Sequence, residues 1–265
     1  EDTTFTAENL PRIKAFAADA SPGSKRVIMI GNSILHNATF FDDTMTAFAA
    51  SNGCPGISFL RVTQRGLAFR HSASILNPAL DVKPDLLLVQ SDLLLTDMDR
   101  QSYAVYLSDT LRMGLNNAIG RKRVRRDNLL DDASQPLAVE QYEAAFLRYS
   151  RSIQRRVRAT KPDRKVIEEF LARAKKMGVR VAIIEMPKPQ KISDLIKSIG
   201  NTDFEAGRAW LEGSPMASHI SYPEQLELDQ FRDFAHLNEA GRARFAPWLV
   251  RTIKGELEGS SPGDR

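Results

Sequence analysis

Cysteine is almost missing from this chain: Cys54 stands alone among 265 residues. One thiol excludes a disulfide framework and a cysteine-built metal site, and in "SNGCPG" it reads as a small filler residue. Long apolar runs are missing too. None approaches the ~18 residues of a membrane-spanning helix, and no stretch reads as a signal peptide. Histidines number four and lack helical metal-ligand spacing, so neither a metal nor any other cofactor is expected. The glycine pattern that lets a pyrophosphate approach a helix is absent from "GNSILHN", which excludes a dinucleotide-binding turn. Aromatic residues make up 8% of the chain and are not interleaved with basic ones. Stacking on nucleic-acid bases therefore has no platform, and no nucleic-acid partner is expected.

What is present is an ordinary globular balance, 42% hydrophobic and 26% charged. That suffices for one sizeable core, or one core with an insertion. The net charge of +4 is unevenly spread. Residues 112–165 hold 14 Lys and Arg against 6 Asp and Glu, a net of +8, so the remainder carries −4. A solvated helical face is the plain reading. The sharper one is a surface for an anionic partner, such as an acidic polysaccharide or phospholipid headgroups. "IQRRVRATKPDRK" lacks the aromatic anchors of a helix lying on lipid, which favours the solvated or polysaccharide-facing alternative.

Strands and helices alternate along the chain. "RVIMI" (26–30), "ISFLRVT" (57–63), "PDLLLVQSD" (84–92) and "VRVAIIEMP" (179–187) are predominantly apolar and predict strands buried on both faces. "ASHISYP" (217–223) is a weaker fifth. Helical spacing marks "AENLPRIKAFAADA", one helix over "ILHNATFFDDTMTAFAASNG" with a stop at Gly53, part of "GLAFRHSASILNPALD", "KVIEEFLARAKKMG" ending at Gly178, and a final helix over 239–257 capped by Asn238. The pattern predicts an α/β domain, a three-layer α/β/α sandwich around a central parallel sheet. Residues 1–24 form a lead-in and 25–257 the domain, with a basic helical insertion at about 97–165. Residues 258–265 predict a disordered tail.

Three strand ends collect small or polar residues: Gly31-Asn32-Ser33, then Gly66 past the second, then Gln90-Ser91-Asp92. In an open parallel sheet, ligands bind beyond the carboxyl ends of the strands. Ser33 could be a turn residue, a helix cap or a nucleophile. Near the C-terminus, Asp233 and His236 stand three apart before the last helix. A serine hydroxyl needs a general base in reach, and the base needs a third group to orient it. One loop could supply both.

The order Gly31-Asn32-Ser33, Gly66, Gln90-Ser91-Asp92 and Asp233-Phe234-Ala235-His236, followed by "HLNEAG", resembles the SGNH (GDSL-type) serine hydrolase superfamily over residues 25–95 and 179–257. The resemblance implies a flavodoxin-like fold and a Ser33–His236–Asp233 triad. It implies an oxyanion hole from the backbone N–H groups of Ser33 and Gly66, with Gln90 or Ser91 as further donors. Two positions depart from the family pattern. Asn32 replaces an aspartate, and no asparagine stands in the third block. The implied activity is a serine esterase or O-acyltransferase on O-acyl, chiefly acetyl, esters of a carbohydrate. Related domains modify bacterial surface polysaccharides, so an acylated polysaccharide substrate and a periplasmic or extracytoplasmic location are expected. The start at Glu1 without a methionine leaves room for an upstream export signal or membrane anchor. A lipase or thioesterase, and a non-catalytic carbohydrate-binding or assembly protein keeping the fold, are the alternatives.

Asn32, Arg70, His71 and Asp92 are candidate substrate contacts. His36 reads as a packed or edge histidine and His219 as structural. Glu185 either lines the pocket or pairs with a nearby Lys or Arg.

Overall fold

The computed structural model describes residues 3–19, 23–64, 69–95 and 162–259, with scattered helical residues between 146 and 158. Gly66, most of the basic insertion and the last residues of the tail lie outside the described residues.

Five strands form one parallel sheet: β1 (Lys25–Gly31), β2 (Ile57–Thr63), β3 (Leu86–Gln90), β4 (Arg180–Glu185) and β5 (Ser218–Ser221), in the order β2-β1-β3-β4-β5. Successive side chains on a strand point to opposite faces, and here both faces are covered. Val27 and Met29 enter one core, Ile28 and Ile30 the other, and all four are fully buried. Burying a side chain of this size stabilises by about 1.5–3 kcal/mol. This is why the strands read as continuous apolar runs rather than alternating ones.

One layer holds α1 (Thr3–Ala18), α4 (Phe69–Asp81), α5 (Ser91–Leu95), α6 (Arg164–Lys176) and α8 (Thr202–Glu212). The other holds α2 (Ser33–Ala38), α3 (Asp42–Ser51) and α9 (Glu239–Glu258). A further helix, α7 (Gln190–Ile199), follows β4. The three-layer α/β/α sandwich is as the sequence predicts.

The single helix expected between β1 and β2 is two. Thr39 is extended, at φ −127° and ψ 166°, and α3 starts afresh at Asp42. The break has a tertiary cause. Arg61 of β2 is 1% exposed, and its Nη1 donates to the carbonyls of His36 at 3.0 Å and Thr39 at 2.9 Å. Carbonyls satisfied from the sheet need not continue a helix. α7 and α8 had no counterpart in the sequence reading.

The strand order reverses direction between β1 and β3, the switch point at which open α/β sheets place their ligands. Ser33 follows β1 there, and Gln90 closes β3. No described helix is long and apolar enough to cross a membrane.

Candidate active site

Gly31 lets the chain turn tightly out of β1. A Cβ at this position would lie 2.7 Å from Gln90 Oε1 and 2.7 Å from Leu35 Cδ2, so any larger residue would push the turn off β3. Asn32 then caps α2, its side chain accepting from the Ile34 N–H at 2.9 Å. The cap is therefore Asn32 and not Ser33, and the Ser33 hydroxyl is left for other work. The amide of the departed position still does the capping that a carboxylate could do.

The loop that carries Asp233 and His236 is built from the other end. Phe231 and Leu237 form an antiparallel bridge, and the Arg232 N–H donates to the His236 carbonyl at 2.9 Å. The loop between them is thereby closed on itself. Asn238 caps α9 through the Gly241 N–H at 3.0 Å. Gly241 is needed there because a Cβ would come within 2.2 Å of the Gln230 carbonyl oxygen.

These two pieces bring Ser33 and His236 together across the sheet edge. The Ser33 hydroxyl lies 2.8 Å from His236 Nε2. His236 Nδ1 lies 2.9 and 2.8 Å from the two carboxylate oxygens of Asp233. With the proton on Nδ1, the ring donates to Asp233 and accepts from Ser33. Asp233 Oδ1 also accepts from the N–H groups of Ala235 and His236, both at 2.9 Å. Burial pushes the Asp233 carboxyl up, but the hydrogen bond and charge of His236 and the two N–H bonds outweigh it, so its pKa sits below the usual carboxylate value. Asp233 is thus held as an anion facing the imidazole.

The oxyanion side is only partly in view. The Ser33 N–H has no hydrogen-bond partner among the described residues. Gln90, expected to donate to the oxyanion, has a different part. It is fully buried, its Oε1 accepts the Asn32 N–H at 3.0 Å, and its Nε2 lies 3.4 Å from Asp92 Oδ2. Asp92, a candidate substrate contact, also meets Lys188 Nζ at 3.3 Å. Ser91 lines a pocket beside the site. Arg70 and His71 fall on α4, and their side chains lie outside the described residues. His36 packs at the edge of the site, its Nδ1 3.1 Å from Thr63 Oγ1.

Two supporting residues were not foreseen. Asn37 Nδ2 donates to the Ser33 carbonyl at 2.7 Å, and Arg232 Nη1 donates to Asn37 Oδ1 at 3.3 Å. Together they tie the helix that opens at Ser33 to the histidine loop. Arg232 adjoins Asp233 in the chain, which was a usable signal; nothing in the sequence singles out Asn37. Lys188 and Arg208 were also missed. Arg208 donates to Glu185 at 2.9 Å and to Glu212 at 2.8 Å, so Glu185 is the strand-end acid paired with an arginine.

The donor atoms of Glu185, Glu212 and His219 lie within 4.8 Å of one another. That spacing could gather a cation, but the Arg208 guanidinium already engages both carboxylates.

No protein-family model matches this chain, and no curated protein matches it. Similar solved structures include a protein provisionally assigned as an acylhydrolase from Bacteroides fragilis, 13% identical with a TM-score of 0.48, covering 94% of this chain and 97% of that one. A lipase/acylhydrolase from Enterococcus faecalis is 14% identical with a TM-score of 0.41, covering 88% of this chain and 96% of that one. A family two carbohydrate esterase from Clostridium thermocellum, solved with cellohexaose, is 11% identical with a TM-score of 0.39, covering 90% of this chain and 66% of that one.

Proposed function

We propose that this protein is an SGNH-type serine esterase or O-acyltransferase acting on O-acetyl esters of a carbohydrate. One observation carries the reading: an unbroken line of hydrogen bonds runs from Ser33 through His236 to Asp233. Each distance lies within hydrogen-bond range. The triad logic needs this order of nucleophile, base and orienter.

The chemistry follows from the atoms. Ser33 Oγ attacks the ester carbonyl carbon while its proton passes to His236 Nε2. The cation so formed faces the Asp233 carboxylate. Negative charge collects on the former carbonyl oxygen, which the free Ser33 N–H can meet. The bond to the leaving alcohol then breaks, and His236 returns the proton to that alcohol. A water molecule or a sugar hydroxyl attacks the acyl-serine in turn, giving its proton to His236. The acid or the new ester departs and Ser33 is restored.

The carbohydrate and the acetyl group come from the family resemblance of the four motif blocks, as does an extracytoplasmic place of work. Gln90 favours a slow enzyme. Its Oε1 accepts the Asn32 N–H and its Nε2 faces Asp92 Oδ2 at 3.4 Å, so its amide donor is engaged elsewhere than at an oxyanion. Missing one such donor costs about 10²–10³-fold in rate.

The test is hydrolysis of p-nitrophenyl acetate by the protein and by Ser33→Ala, with intact mass after a fluorophosphonate probe. Turnover lost in the variant, with label on Ser33, supports the reading. Absence of both in the unaltered protein would favour a non-catalytic carbohydrate-binding or assembly role.

A further inference from the structure

A hollow opens over the ends of β3 and β4 and against β5, α7 and α8. It contains neither Ser33 nor His236, and the proposed reaction does not use it. Its enclosed room is about 50 Å³, space for a few water-sized groups rather than for a whole ligand.

Ser91 lines this hollow and is 5% exposed. Its hydroxyl has no hydrogen-bond partner among the described residues. On the hollow's wall this hydroxyl is open to a polar group that enters. The ring nitrogens of His219, on the same wall, also have no hydrogen-bond partner among the described residues. Phe204 and Leu211 supply an apolar side.

The charges on the wall decide what kind of ligand fits. Asp92, Glu185 and Glu205 balance Lys188, Lys197 and Arg208, three acids against three bases. A lone anion would meet carboxylates. A divalent cation at Glu185, Glu212 and His219 would have to displace the Arg208 guanidinium from its bonds of 2.9 and 2.8 Å. A neutral ligand with several hydroxyls faces neither cost. It can donate to carboxylates, accept from a serine or a histidine, and lay its C–H face on Phe204.

We infer that this hollow is a subsite for the edge of a neutral sugar residue of the substrate, with Ser91 and His219 as its hydroxyl-binding groups. The inference rests on the carbohydrate-ester reading above and adds where the sugar is held. The rim adjoins the reacting turn: Asp92 lies 3.4 Å from Gln90, which in turn holds the Asn32 N–H at 3.0 Å.

The test uses the full chain as Ser33→Ala, isotopically labelled, titrated separately with methyl β-D-glucopyranoside, D-glucuronate, inorganic phosphate and Mn²⁺. The expected result is a saturable shift of the Ser91 and His219 resonances with the glucopyranoside. Ser91→Ala and His219→Gln should each weaken it by roughly 3- to 10-fold, the loss of one neutral hydrogen bond. His219→Gln in the unaltered background should slow hydrolysis of an O-acetylated methyl glucopyranoside more than that of p-nitrophenyl acetate, because the latter has no sugar to place. Saturable shifts only with Mn²⁺, glucuronate or phosphate, or none with any probe, would overturn the subsite. Ser33-dependent ester hydrolysis without saccharide binding would sink the subsite and leave the esterase. Saccharide binding without hydrolysis or serine labelling would sink the esterase and leave the subsite.

Discussion

Gln90 Oε1 accepts the Asn32 N–H across 3.0 Å, so the last residue of β3 holds the residue just before Ser33. The bond is fully buried on the Gln90 side. Asn32 then uses its own side chain to satisfy the Ile34 N–H. The two bonds bracket Ser33 and leave its N–H facing the site. Gln90→Leu keeps the bulk and removes the acceptor. The expected result is kcat for p-nitrophenyl acetate lower by roughly 10–100-fold with KM little changed, since a misplaced reacting group costs on that order. A part-buried N–H left without an acceptor should also lower stability by about 1 kcal/mol, the low end of the cost for a buried group. Steady-state kinetics and urea unfolding read the two effects. An unchanged kcat would mean that the turn keeps its shape without β3.

Gly31→Ala tests the same contact from the other side. The added Cβ would meet Gln90 Oε1 and Leu35 at 2.7 Å, closer than van der Waals contact. Both neighbours are buried and the strand cannot move freely. Overpacking of this kind costs about 1–3 kcal/mol. Thermal unfolding should show the loss, and serine labelling by a fluorophosphonate should slow, because the turn that carries Ser33 is displaced.

Asp233 makes stability depend on pH. Its carboxyl is held below the usual value in the folded chain, burial being outweighed by His236 and the two N–H donors. The ionised form therefore favours folding. Its contribution is fully present above the unfolded value, about 3.9, and fades as the pH falls below that through the folded value. Asp233→Asn removes the dependence. Urea unfolding should find the wild type more stable than the variant at neutral pH, with the gap closing on acidification below the ordinary carboxylate range. The variant should also lose activity by roughly 10⁴-fold. An amide facing Nδ1 favours the tautomer that carries its proton on Nε2, and Ser33 then loses its base. A gap that is constant with pH would show that Asp233 acts only through packing.

Much of the fold was legible because the sheet is buried on both faces. The runs around Val27–Ile30 and Leu86–Val89 are apolar at every position, and all these residues are 0% exposed. All five strands fall where the sequence puts them. The members of the candidate triad were legible because each sits at a punctuated end, Ser33 after Gly31 and Asp233–His236 before the Asn238 cap. What stayed hidden depends on contacts far apart in the chain. Gln90 looked like a donor, yet its partner is 58 residues away. α7 and α8 were missed although signals existed: Ile192, Ile196 and Ile199 recur at helical spacing, and Asn201 caps α8 by accepting from the N–H groups of Asp203 and Phe204. They lie between a strong strand and a weak one, and the apolar stripe of α7 is only half covered, with Ile192 its one fully buried residue.

The split between α2 and α3 is the sharpest case of a distant residue overriding local pattern. Apolar spacing runs on from Leu35 and Ala38 towards Met45, and nothing local demands a stop. Arg61 supplies it by donating to the His36 and Thr39 carbonyls, while Asp42 accepts from the Arg61 N–H at 2.7 Å and from Arg12 at 2.6 Å. Arg61→Met keeps the length of the side chain and removes the donors. Two carbonyls at the end of α2 then lose their partner in the interior, while the desolvation cost of a buried cation is relieved. The first effect should dominate, because the Thr39 carbonyl stays buried and cannot reach water. A net loss of about 1–3 kcal/mol is expected in urea unfolding. Ser33 opens the helix that these carbonyls close, so labelling of Ser33 should slow in the same variant. A variant as stable as the wild type would mean that α2 and α3 can fuse into the single helix that the spacing predicts.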